Sequence, residues 1–372
     1  MKDLEKISSV LILCTVILSF SVANAFYAVA KNNGTSVVAT VNVGKSPESL
    51  AYDSGKGEIF VAVHDSHSIL AISEGNNAIT ANITAENSAL PYGLAYDSGK
   101  NEIFVANTNS GTVSVISDNS NAVVATVNVE TNPVGVAYDS GKGEIFVANT
   151  NSSTVSVISD NTNAVVGTVR VGGSPMGLAY DSDKGEIFVA NSDNNNVSVI
   201  SDTNNAVVAT VNVGWLPYGV VYDSGLGEIF VANLFSNTVS VISDTTNTVV
   251  ANVTVQNLPY GLAYNSNLGE ILVGNNDANL ISVISDSTNE VVSTIDGVGN
   301  PSGIAYNPIK GEIFIANEDG TQVSVVSDTS LTPSPSPTAP EFSNAGLILL
   351  AAALVTVAFC AVALKARKPK KK

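Results

Sequence analysis

A tyrosine returns along this chain at Tyr52, Tyr96, Tyr138, Tyr180, Tyr222, Tyr264 and Tyr306, first after 44 residues and then every 42. Self-similarity at such a period means one supersecondary unit written repeatedly, each copy unable to bury its apolar faces alone. Each unit divides into four strand-like runs, which in the third unit are 134–138, 144–149, 154–159 and 164–171. The runs are rich in Val, Ile, Thr and Phe, residues that fit a pleated surface. In 122–129, Val123, Ala125, Val127 and Val129 alternate with Val124, Thr126 and Asn128, the period of a strand. Turn words separate the runs, DSGKGE at 139–144 and SDNTNA at 159–164. Their Asp and Asn bond the local backbone, and Gly supplies positive φ. Four antiparallel strands in about 42 residues make one propeller blade. The sequence therefore predicts an all-β, seven-bladed β-propeller over 26–329 with nothing helical in it. A β-solenoid would use shorter coils, and helical repeats would show a period near 3.6.

Ring closure is written at the two ends of the repeat. TSVVATVNVG at 35–44 matches the fourth run of later units, whereas the last unit stops after its third run at 323–327. Residues 36–43 are therefore expected to be an N-terminal strand closing the last blade, which would otherwise expose an unpaired edge.

The flanks carry different text. Lys2 and Lys6, an apolar run over 7–20 and Ala23-Asn24-Ala25 read as a secretory signal peptide, 1–25, cut after Ala25. The alternative, an uncleaved anchor, has an apolar run short for a spanning helix. Residues 330–345 contain LTPSPSPTAP, a Pro/Ser-rich stalk whose prolines favour extended polyproline structure. Residues 346–364 are apolar throughout and as a helix would span ~28 Å, enough for a transmembrane segment. Six cations follow in 365–372, a basic tail that belongs on the cytoplasmic side and leaves the repeats outside the cell. Between residues 26 and 364, 8 Lys and Arg stand against 31 Asp and Glu. Such a surface excludes a nucleic-acid partner and suits loose association with cations. Cys14 and Cys360 both lie in the terminal apolar segments, so the repeats contain no disulfide and no thiolate metal ligand.

GEIFVAN at 143–149, TVSVISD at 154–160 and AVVATVNVG at 206–214 resemble the YVTN family of β-propeller repeats found on archaeal and bacterial cell surfaces. The resemblance covers about 36–328 and implies the propeller fold. Every unit departs by reading Phe or Leu at the first motif position. The first unit also has Val63 where the others have Asn107, Asn149, Asn191, Asn233, Asn275 and Asn317. Pro340, Glu341 and Phe342, placed before an apolar segment and a basic end, are similar to the PEF-CTERM sorting signal of archaeal surface proteins. That similarity implies processing by an archaeosortase-type transpeptidase; a plain single-pass anchor is the alternative.

Chemistry would sit where the repeat is altered. His64 and His67 flank Asp65 in VHDSH of the first unit, and together they offer imidazole and carboxylate ligands to a metal. Loop variation explains the trio equally well. The repeated Asp53, Asp97, Asp139, Asp181 and Asp223 open tight turns, which accounts for them without a calcium ring. No cofactor is expected, and the Asn/Asp-rich loops at 191–196, 275–279 and 317–320 offer at most weak Ca²⁺ binding. No nucleophile elbow or phosphate loop is present, and the even spacing leaves no long insertion, so the chain does not read as an enzyme.

Aromatic residues mark a candidate ligand surface. Tyr92, Tyr218 and Tyr260 fill the middle of Pro-x-Gly at the start of the first run, with Trp215 and Phe235 beside Tyr218. Either they gather at one mouth of the ring as a platform for a glycan or peptide, or they pack between blades. Asn33, Asn82, Asn151, Asn196 and Asn252 stand in N-glycosylation sequons. Together these features lead to an exported, membrane-anchored propeller of the cell surface or S-layer, with a structural, adhesive or protein-interaction role toward envelope proteins or glycans. A glycan- or peptide-binding receptor is the first alternative, and a lactonase- or lyase-type enzyme the second.

Overall fold

The computed structural model describes residues 37–85 and 89–328. Outside them lie the expected signal peptide with Ala25, the sequon Asn33, the stalk with Pro340, Glu341 and Phe342, the segment 346–364 and the basic tail. Among the described residues no helix is long and apolar enough to cross a membrane.

The third unit forms a four-stranded antiparallel sheet from Pro133–Asp139, Glu144–Asn149, Thr154–Ser159 and Ala164–Arg170, in that spatial order. Seven such sheets form, and in each the order in space follows the order in the chain except at the closure. There Val37–Asn42 pairs with Gln322–Ser327, Ala39 facing Val325 and Val41 facing Val323. The seventh blade is thus completed by the N-terminal strand, as the truncated last unit predicted. Helical text is not quite absent: single 3-10 turns occur at His64–Ser66 and Ser192–Asn194. In each, the chain leaves the turn through a residue in the left-handed region, His67 or Asn195.

Blades stack on both faces, and the two middle strands of each carry apolar residues on both sides. Ile145, Phe146, Val147 and Ala148 are all fully buried. Their alternation sends Ile145 and Val147 into one core with Phe104 and Val113 of the second blade. Phe146 and Ala148 join the next core, with Ile187 and Val189 of the fourth blade. The ring closes in the same way, Phe314 and Val325 packing with Ile59, Val61 and Leu70. Truncating one such phenylalanine to alanine removes a wedge from a blade junction and costs about 3–5 kcal/mol.

Two turn details explain the repeated text. After each innermost strand the chain needs a left-handed residue, supplied by Gly143 (φ +67) in the third blade and Asn101 (φ +59) in the second. Asp139 accepts the amides of Gly141 and Lys142 at 2.8 and 3.1 Å, the expected local turn. The same carboxylate also meets Tyr180 of the following blade, and burial together with that bond pushes the phenol's pKa up. The sixth and seventh blades carry Asn265 and Asn307 at this position, and the tyrosine that follows each finds a carboxylate of its own blade. Tyr306 donates to Asp328 at 2.7 Å and Tyr52 to Glu74 at 2.9 Å. The repeated Asp–Tyr text is therefore a latch between neighbouring blades as well as a turn.

Candidate functional site

The innermost strands begin with Pro-x-Gly or a variant of it, and all start on one face of the ring, here the proline face. Each has an irregular register just after its proline; in the third blade the pairing jumps from Pro133–Asn149 to Val136–Val147. Proline lacks the ladder donor, so the strand bulges there. The following glycine is required by crowding: a Cβ on Gly177 would collide with the Tyr218 carbonyl oxygen of the next blade. Seven x residues consequently crowd the channel: Glu48, Tyr92, Val134, Met176, Tyr218, Tyr260 and Ser302.

Three of these are tyrosines, and they meet. The hydroxyls of Tyr92, Tyr218 and Tyr260 lie 2.5 Å apart in all three pairs, although Tyr92 is 126 and 168 residues from its partners. Each phenol has one proton to give; Tyr260 donates to Tyr218, and Tyr92, which meets both, also reaches Glu48. The Tyr218 and Tyr260 rings lie 4.0 Å apart, tilted by 32°. Burial is the main cause that raises all three phenols, Tyr218 to about 12. Ser302 donates to the Pro47 and Glu48 carbonyls at 3.1 and 3.0 Å, tying the seventh blade to the first.

Glu48 is the exception among the x residues. It is only 9 % exposed, and its Oε2 has no hydrogen-bond partner. Burial, then the charges of Glu318 and Asp65, push its carboxyl up to about 8, opposed by a hydrogen bond from Tyr92. Glu318, from the neighbouring blade, is also raised by burial, but it accepts a bond from Asn276 at 2.9 Å. A cavity of about 230 Å³ in the channel is lined by these x residues and, two positions further along the strands, by apolar residues such as Leu50, Leu94, Val136 and Leu262.

The aromatic candidates thus separate into two groups. Tyr92, Tyr218 and Tyr260 gather on the channel axis instead of packing between blades. Trp215 and Phe235 stay outside, 59 % and 50 % exposed, in edge contact at 5.2 Å. Their loops are joined by the Phe235 amide on the Trp215 carbonyl (3.2 Å) and the Trp215 amide on Ser236 Oγ (2.7 Å). Both loops open on the proline face.

The histidines take separate partners. His64 presents its ring to Tyr92, with centroids 6.1 Å apart, and its Nδ1 lies 3.3 Å from Asp65. The bonds from His64 and Ser46 hold Asp65 below the usual carboxylate range. His67 Nδ1 lies 3.1 Å from the Ala89 carbonyl. Among the described residues no group of three or more His, Cys, Asp or Glu is arranged to hold a metal ion. Of the sequons, Asn82, Asn151 and Asn252 are exposed, while Asn196 is half-buried and accepts a bond from Asn191.

Glu48 did not stand out in the sequence, and Glu318 entered it only as part of the 317–320 loop. Writing the x residues in register would have found Glu48, the only acidic member of that row.

The fold places the chain among known propellers. The YNCE-like beta-propeller family matches residues 21–224. No curated protein matches the chain. Among solved structures, a chain of the Kuenenia stuttgartiensis hydrazine synthase is similar with a TM-score of 0.68 at 16 % identity, covering 76 % of this chain and 96 % of that one. At that identity the likeness is one of fold. The chain belongs to the YNCE-like β-propeller family.

Proposed function

We propose that this propeller is a binding module of the cell envelope, working through its proline face and without catalysis. The observation that carries the reading is the exposed Trp215–Phe235 pair, two large aromatics held out by loops that are themselves hydrogen-bonded together. Exposed aromatics in edge contact on a rigid rim suit the apolar face of a sugar or a peptide side chain. The apolar run at 7–20 and the stalk, apolar segment and cations of 330–372 support export and anchorage, so the partner would be an envelope protein or glycan. A structural or adhesive role follows from such a surface held off the membrane.

The test uses the full chain and envelope material from its own cells. The double variant Trp215→Ala/Phe235→Ala is expected to be retained about tenfold less, the effect of losing one or two aromatic anchors, with an unchanged melting temperature. Equal retention of variant and parent would remove the reading.

A further inference from the structure

The phenol triangle leaves Glu48 short of donors: three hydroxyl protons serve the three phenol contacts and Glu48 together, and Tyr92 can bond only one of the two carboxyl oxygens. The carboxylate is nine-tenths buried at the wall of the cavity, with one oxygen unpartnered. A buried carboxylate in that state costs free energy until a donor or a cation arrives. We propose that the channel mouth binds a primary alkylammonium group, its N–H donors on Glu48 and on the free lone pairs of the phenols. This inference rests on the proline face being the binding face and names the chemistry it takes.

Charge selects a cation. Around Glu48 stand Glu318 and Asp65, with His64 at the rim, Lys45 near Asp65, and the three weakly acidic phenols. Donor type selects an ammonium group over a metal ion. Calcium asks for six to eight oxygens, whereas Glu48 with the phenol oxygens offers an ammonium charge-assisted hydrogen bonds. Size limits the ligand to the end of a chain. About 230 Å³ is smaller than the ~300–1,000 Å³ of sites that enclose a whole small molecule.

Binding should move a proton. With its pKa near 8, Glu48 is mostly neutral at pH 7, and an arriving ammonium favours its ionised form. The proton leaves to buffer, about one per ammonium bound at pH 7 and progressively fewer above pH 8.

The experiment is calorimetric titration of the full chain with n-butylamine and with the peptide acetyl-Ala-Lys-Ala-amide, against 1-butanol, in buffers of different ionisation enthalpy. Expected are binding of at least one amine probe, none of butanol, and proton release at pH 7. Glu48→Gln, isosteric with the neutral acid, should bind about tenfold or more weakly, the loss of a charged hydrogen bond. Tighter binding of the peptide identifies a lysine side chain on a partner as the source, and tighter binding of butylamine a free amine. Equal binding of amine and butanol, no binding of either amine, or undiminished binding by Glu48→Gln overturns the proposal. Proton release is read on the unaltered protein and so does not depend on how the variant folds. If the amines fail while Trp215→Ala/Phe235→Ala still lowers envelope retention, this inference falls and the reading of the face stands.

Discussion

Within each blade, one buried polar pair recurs and once disappears. Asn149 Nδ2 donates to Ser156 Oγ at 2.9 Å, and the same bond joins Asn107 to Ser114, Asn191 to Ser198 and Asn233 to Ser240. In the first blade both positions change together, to Val63 and Leu70, and both are buried. Removing one partner of a buried bond leaves the other desolvated, whereas replacing both by apolar groups is nearly neutral. Asn149→Val alone should therefore destabilise the protein by about 1–3 kcal/mol, and the double variant Asn149→Val/Ser156→Leu should recover most of it in a denaturant-unfolding cycle. Additive losses would refute the pairing. The departure at Val63 was visible in the sequence. Its partner was not, because a strand pattern does not state which residue across the ladder accepts the bond.

For the strands, the sequence was nearly sufficient. The expected runs 134–138 and 164–171 became Pro133–Asp139 and Ala164–Arg170, and 144–149 and 154–159 came out as read. Repetition averages out the ambiguity of any single short apolar run, so copies written seven times locate their own boundaries. The closing strand was legible for the same reason, because Val37–Asn42 carries fourth-run text in front of the first unit. It contributes Val41 to the core at the seventh blade, which Val43 joins just beyond its end. Deleting residues 36–43 should cost about 3–6 kcal/mol from those two valines alone and lower the melting temperature sharply. A deletion variant that melts like the parent would contradict ring closure through this strand. The candidate site was much less legible. Tyr92, Tyr218 and Tyr260 come from three blades, and their meeting on the axis depends on the inward turn of each innermost strand, which no local pattern records.

Across the whole molecule, burial acts on the acidic groups in one direction. Glu48 is raised to about 8 and Glu270 to about 7, and Glu102, Glu144, Glu186, Glu228, Glu312 and Glu318 are raised as well, each mainly by burial. A carboxyl raised above its ordinary value of 4.5 binds its proton more tightly in the folded state. Its contribution is complete below that value and is lost as pH climbs toward the folded pKa, here through about 7 and 8. The formal net charge of −17 adds self-repulsion in the same direction. Thermal melts should thus show higher stability at about pH 5.5 than at about pH 8.5, with a smaller difference in Glu48→Gln; a melting temperature that rises over that interval would contradict the burial of these groups. The ring presents two unlike faces, one closed by Asp–Tyr latches and the other bearing the phenol triangle, Glu48 and the exposed aromatic pair. The most direct measurement of which face works is hydrogen–deuterium exchange on the full chain with and without bound envelope material. The account predicts protection at 64–67, 213–216, 234–237 and 318–321, all on the proline face. Protection confined to the opposite turns, such as 54–57 and 140–143, or to the outer strands would contradict it.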